Sequence, residues 1–200
     1  MILQAEAGSF PRHIDRILFI AGLVIYTAGQ VLLNLGQDFV AAQSPVDFAH
    51  WLLLTGALFL IPFVARLPWR NLHLITIPLM LVGIASVVGM CVLDFIFWSL
   101  PDGEFEREVA GHLIATPAIW QPFMAIGPNY IFGAGLMLPS LSYWNRSRAG
   151  VVLVVAGTAI IALLFHWFNV VGYIALTLGY VLCFDVLRPA RTLQPAQETS

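Results

Sequence analysis

Charge is what this chain of 200 residues has least of: only 10% of its residues are charged, and none of them is lysine. An average soluble domain is about 25% charged. Hydrophobic residues make up 60% and the mean hydropathy is +0.86, so there is too little polar surface to cover a water-soluble globule. A soluble enzyme, a nucleic-acid binder and a disordered tail are excluded on that ground. Familiar catalytic signatures are missing as well: no GxSxG elbow, no glycine-rich phosphate loop followed by lysine, no HExxH, CxxC or CxxCH, and no EF-hand spacing. Cysteine is down to Cys91 and Cys183, each inside an apolar run where a thiol behaves as a small hydrophobe, and no disulfide framework follows.

What the chain does have is long apolar runs. A hydrocarbon core of about 30 Å takes about 20 helical residues, and on that measure six stretches emerge, at about 16–35, 48–65, 74–100, 118–141, 149–166 and 170–187. The last two share one tract, Ala149 to Leu187, which as a single helix would be about 58 Å long and so must fold back. The turn is expected at His166-Trp167-Phe168-Asn169, where polar and interfacial aromatic groups interrupt the aliphatic run. The expected fold is therefore an all-α membrane protein, one domain over residues 1–200, built as a bundle of six transmembrane helices. The first apolar run is long and no small-x-small cleavage site follows it, so it reads as a retained span.

Arginine placement checks the count. With the N-terminus inside, Arg12, Arg16, Arg66, Arg70, Arg146, Arg148, Arg188 and Arg191 all fall on cytoplasmic flanks, and only Arg107 lies outside. Both termini are then cytoplasmic, and the arginine-only basic complement suits a bacterial inner membrane. Small residues within spans, such as Gly22 and Gly29, Gly83 and Gly89, or Gly172 and Gly179, fit close helix contacts.

With that orientation, acidic residues and histidines collect at the outer end. Asp94 sits in an apolar span, where a central aspartate costs about 2.5–3.5 kcal/mol on translocon scales and needs a partner within the bundle; Trp98 one turn later gives the alternative of an interfacial carboxylate about 6 Å below the outer surface. Asp47 and His50 are three apart after Pro45 and project from one helix face. Glu104, Glu108 and His112 line one face of an expected short amphipathic outer helix between the third and fourth spans, capped by Asp102, with Phe105, Val109 and Leu113 opposite. In the fourth span, Gly127 and Pro128 are expected to kink or open the helix just before Asn129 and Tyr130, the way broken helices build sites at membrane depth.

Three readings follow. The first is a small-molecule binding or transport module with an outward-facing cavity, its ligand held by Asp94, Asn129, Tyr130 and Asp47. The second is a metal- or haem-dependent enzyme acting on a lipid or quinone-like substrate at the outer interface, with His50, Glu108, His112 and His166 as metal ligands, since imidazole and ionised oxygen donate lone pairs to transition metals. The third is an assembly subunit of a larger membrane complex. The lipid bilayer is a partner in all three, and nucleic acid in none.

Overall fold

Lipid offers no water to a peptide group, so an apolar chain there must close its hydrogen bonds within helices or a barrel. The computed structural model describes residues 13–43, 46–69, 71–100, 103–163 and 167–185, and every regular element among them is helical. In chain order these are α1 (His13–Asn34), α2 (Gln37–Ala41), α3 (Phe48–Leu58), α4 (Ile61–Ala65), α5 (His73–Trp98), α6 (Gly103–Ile114), α7 (Pro117–Trp120), α8 (Phe132–Ser140), α9 (Arg148–Leu163) and α10 (Trp167–Phe184). Four stretches are long and apolar enough to cross a membrane: His13–Asn34, Phe48–Ala65, His73–Trp98 and Trp167–Phe184. They are the mark of a multi-pass membrane protein.

The other two expected spans differ from plain helices for identifiable reasons. α9 is regular but only 16 residues long. The stretch after α7 winds into two π-helical turns, Gln121–Ala125 and Gly127–Ile131, before α8 resumes. Pro122 and Pro128 carry no amide hydrogen and crowd the preceding turn, and the wider winding accommodates them: Ile126 N donates to Gln121 O (2.8 Å) and Ile131 N to Ile126 O (3.2 Å). Gly127 is obligatory here, because a Cβ would lie 1.9 Å from the Pro122 carbonyl oxygen and 2.4 Å from Ser86 of α5. The opening expected at Gly127 is thus present as a change of helix type.

Pro62 likewise breaks the second span between α3 and α4, since it offers no N–H to the previous turn. The expected turn at 166–169 needs correction. α10 already begins at Trp167, so Trp167, Phe168 and Asn169 form its first turn and the connection falls at residues 164–166, outside the described residues. Also outside them are Arg12, Pro45, Arg70, Asp102, His166, Arg188 and Arg191. The five-residue α2 was not foreseen.

Packing runs α1 on α3, α3 on α5, α5 on the π turns and α8, α8 on α9, and α9 on α10, and α10 returns to α1 to close the ring. Glycine sets the closest approaches. Along the antiparallel pair α9 and α10, a Cβ on Gly157 would sit 2.5 Å from the Gly172 oxygen, and one on Gly150 would sit 2.7 Å from the Gly179 oxygen. Without a hydrophobic drive between helices in lipid, such backbone approach is what lets dispersion act. Inside the ring, Phe19, Phe63, Tyr143, Tyr180 and Phe184 pack ring against ring in tilted and edge-to-face pairs, and the Tyr180 hydroxyl donates to the Leu136 oxygen. At this end arginines are paired: Arg66 Nε is 3.1 Å from Asp15 Oδ2 and Arg146 Nη2 is 3.6 Å from Asp185 Oδ2. It is the basic end of the molecule, and the acidic residues met below lie at the other.

Replacing Gly157 with leucine is expected to push α9 from α10 and cost about 1–3 kcal/mol through overpacking. Thermal denaturation of the detergent-solubilised protein checks this against Leu178→Ala on the exposed face of α10, which is expected to stay within about 0.5 kcal/mol of the parent.

Candidate functional site

α3 begins with a cap. Asp47 stands just before the first turn, and its Oδ1 accepts the His50 backbone N–H at 3.1 Å, satisfying one of the amides a helix start leaves open. The same geometry brings the other oxygen of Asp47 to the His50 ring, with Oδ2 2.5 Å from Nδ1. Across the helix interface, His50 Nε2 lies 3.1 Å from Asp94 Oδ2. Asp94 projects from α5 one turn before its end at Trp98, about 6 Å along the axis. One imidazole therefore joins two carboxylates from two helices, and the edge of its ring faces Phe95 with centroids 6.2 Å apart.

The proton count of this relay follows from its geometry. A neutral imidazole has one N–H and one lone pair, whereas an imidazolium has two donors. Facing an acceptor oxygen at each nitrogen, the group needs two protons in total, either both on the ring or one on the ring and one on a carboxyl. Its net charge is −1 in both arrangements. Exposure is graded along it: the Asp47 side chain is 1% exposed, His50 12% and Asp94 21%. Asp47 is sealed, and Asp94 is the end that meets solvent or a ligand.

His50 and Asp94 open onto a cavity of about 190 Å³. Each apolar segment contributes to its wall at helical spacing. α1 supplies Tyr26, Gln30 and Leu33, α5 supplies Met90 and Asp94, and α10 supplies Asn169 and Tyr173, all at intervals that share a face. Ile161 comes from α9, and Pro128 and Asn129 from the second π turn. The break in that segment thus forms cavity wall, with Asn129 Nδ2 donating to the Ala125 carbonyl at 3.1 Å. Asn169 also lines the cavity, and among the described residues its buried Oδ1 has no hydrogen-bond partner.

Of the expected ligand-binding residues, Asp94 and Asn129 line the cavity, while Asp47 lies behind His50. Tyr130 does not line it; its side chain is 51% exposed. The expected metal set is not assembled. Glu108 and His112 are exposed on α6, which packs chiefly on α7, and His166 lies outside the described residues. Among the described residues no three His, Cys, Asp or Glu side chains gather closely enough to hold a metal ion. Tyr26, Met90 and Tyr173 escaped sequence reasoning. The available signal was Tyr26 and Gln30 four apart in an apolar span, since a hydroxyl at that depth needs a partner. No protein-family model, curated protein or solved structure matches the chain, so function must be read from this chemistry.

Two substitutions separate capping from charge. Asp47→Ala is expected to destabilise the protein by about 1 kcal/mol or more through the lost cap, whereas Asp47→Asn, an equally good capping residue, is expected to recover that part. Denaturation midpoints of the two variants side by side provide the check.

Proposed function

We propose that this protein is a small-molecule binding or transport module of a cell membrane, crossing it six times with both termini cytoplasmic. The cavity bounded by His50, Asp94 and Asn129 faces outward and takes a small polar ligand. The observation that carries this reading is a polar cavity walled by every apolar segment, with the Asp94 carboxylate presented to it. An assembly role alone gives no reason for that cavity. Broken helices lining polar cavities are how membrane proteins bind ligands at depth.

The orientation rests on the arginines. Arg16, Arg66, Arg146 and Arg148 flank one end of the packed helices, and short loops rich in arginine stay in the cytoplasm. The relay and cavity then belong to the exoplasmic end. Size narrows the ligand: about 190 Å³ exceeds the ~150 Å³ cavity known to accept benzene, but falls below the ~300 Å³ at which pockets for drug-sized molecules begin. A ligand of roughly benzene's bulk fits, and a macrocycle such as haem does not.

Leu33→Cys, which places a thiol in the cavity wall, tests opening and orientation together. In intact cells a membrane-impermeant cationic methanethiosulfonate is expected to label it several-fold faster than the anionic reagent, and Asp94→Asn is expected to erase the preference. Labelling from the cytoplasmic side alone, or none from either side, would contradict the reading.

A further inference from the structure

Resting on the small-molecule reading above, we infer that the cavity takes a small monovalent organic cation in exchange for one proton released from the Asp47–His50–Asp94 relay. The relay is asymmetric. On the Asp47 side the contact is short and the carboxylate is 1% exposed, so a proton there has no path out. On the Asp94 side the contact is 3.1 Å, and both His50 and Asp94 line the cavity. The proton between Nε2 and Asp94 is therefore the exchangeable one. It leaves to water through the cavity.

Its loss changes two things at once. The charge of the relay goes from −1 to −2, and the Nε2 lone pair is left facing the Asp94 oxygen, acceptor against acceptor. A cation donating to Asp94 offsets both: the summed charge returns to −1, and the carboxylate regains a donor. Among the described residues nothing else around His50 plays that part. Among them, the titratable groups facing the relay are its own Asp47 from the start of α3 and Asp94 from α5, with Cys91 of α5 beside the two carboxylates. Tyr26 from α1 and Tyr173 from α10 complete the set. Among the described residues no arginine lines the cavity.

The remainder of the wall suits a primary ammonium on a compact apolar body. An ammonium carries three donors; Asp94 accepts one, and Gln30 and Asn129 in the same wall carry amide oxygens that accept others. Leu33, Met90 and Ile161 supply apolar surface for the body of the ligand.

Isothermal titration of the full chain in detergent provides the test, with benzylammonium as probe and benzyl alcohol as its neutral isostere. Runs in two buffers of different ionisation enthalpy count the protons released. Benzylammonium is expected to bind at least tenfold tighter than the alcohol and to release one proton. Its Kd should fall about tenfold for each pH unit of increase in the range where the free relay still holds that proton, and level off once the free relay has lost it. Asp94→Asn is expected to lose the release, and since wild type alone reports the stoichiometry, a poorly folding variant leaves the test intact. Proton-silent binding from about pH 5 to 8, or equal affinity for the alcohol, overturns the exchange. If Leu33→Cys is labelled from outside while the titration is proton-silent, the exchange alone fails. If neither probe binds and the thiol is not labelled, the small-molecule reading fails with it.

Discussion

One imidazole held between two carboxylates is the interaction on which the polar half of this molecule depends. An isolated carboxylate moved into a low-dielectric interior costs several kcal/mol even after relaxation, and it persists only where partners offset that cost. His50 does this for two carboxylates at once, using Nδ1 toward Asp47 and Nε2 toward Asp94. Because Asp47 caps α3 and Asp94 belongs to α5, the same contacts tie the start of one span to the end of another. Helix capping, helix pairing and the acidity of the cavity are three consequences of one hydrogen-bonded chain.

The rest of the structure gives that chain its setting. Glycine contacts draw helices together elsewhere: Gly22 and Gly56 join α1 to α3, Gly83 meets Phe132, and Gly150 and Gly157 meet Gly179 and Gly172. Tight contacts of this kind close much of the ring, and the cavity beside His50 lies among bulky and polar side chains such as Tyr26, Gln30 and Tyr173. The π turns around Ile126 add to that space by directing Pro128 and Asn129 into the wall. π-helical turns are rare and frequently occur at functional sites. Here the cause is visible in Pro122, Gly127 and Pro128.

Much of this was legible in the chain itself. Apolar length alone located the helices to within a few residues, because a span's hydrophobicity is a local property. Asp94 stood out by the cost of its setting, and Asp47 with His50 by their helical spacing. Their meeting was not legible, since it joins helices separated by a whole connection and depends on how α3 packs on α5. The turn after α9 was placed too late because Trp167, Phe168 and Asn169 look like a loop yet form the first turn of α10. The grouping of Glu108 and His112 with His50 failed for a similar reason: shared side of the membrane is not shared position, and α6 stands apart on α7. Tyr26 and Tyr173 were not singled out in the sequence, since their place in the cavity wall depends on how α1 and α10 pack.

Function follows from the contrast between the two ends. At the basic end, carboxylates meet arginines and the packing is aromatic and filled. At the acidic end, Asp47 and Asp94 meet the His50 imidazole, and a cavity lies beside it. The first arrangement holds helices together; the second also leaves a charge in reach of a ligand. The most direct measurement is a double-mutant cycle on stability, combining His50→Gln with Asp94→Asn in mixed-micelle denaturation. A coupling of about 1–3 kcal/mol is expected for a charge-assisted hydrogen bond between α3 and α5. Additive effects, with coupling near zero, would contradict the account.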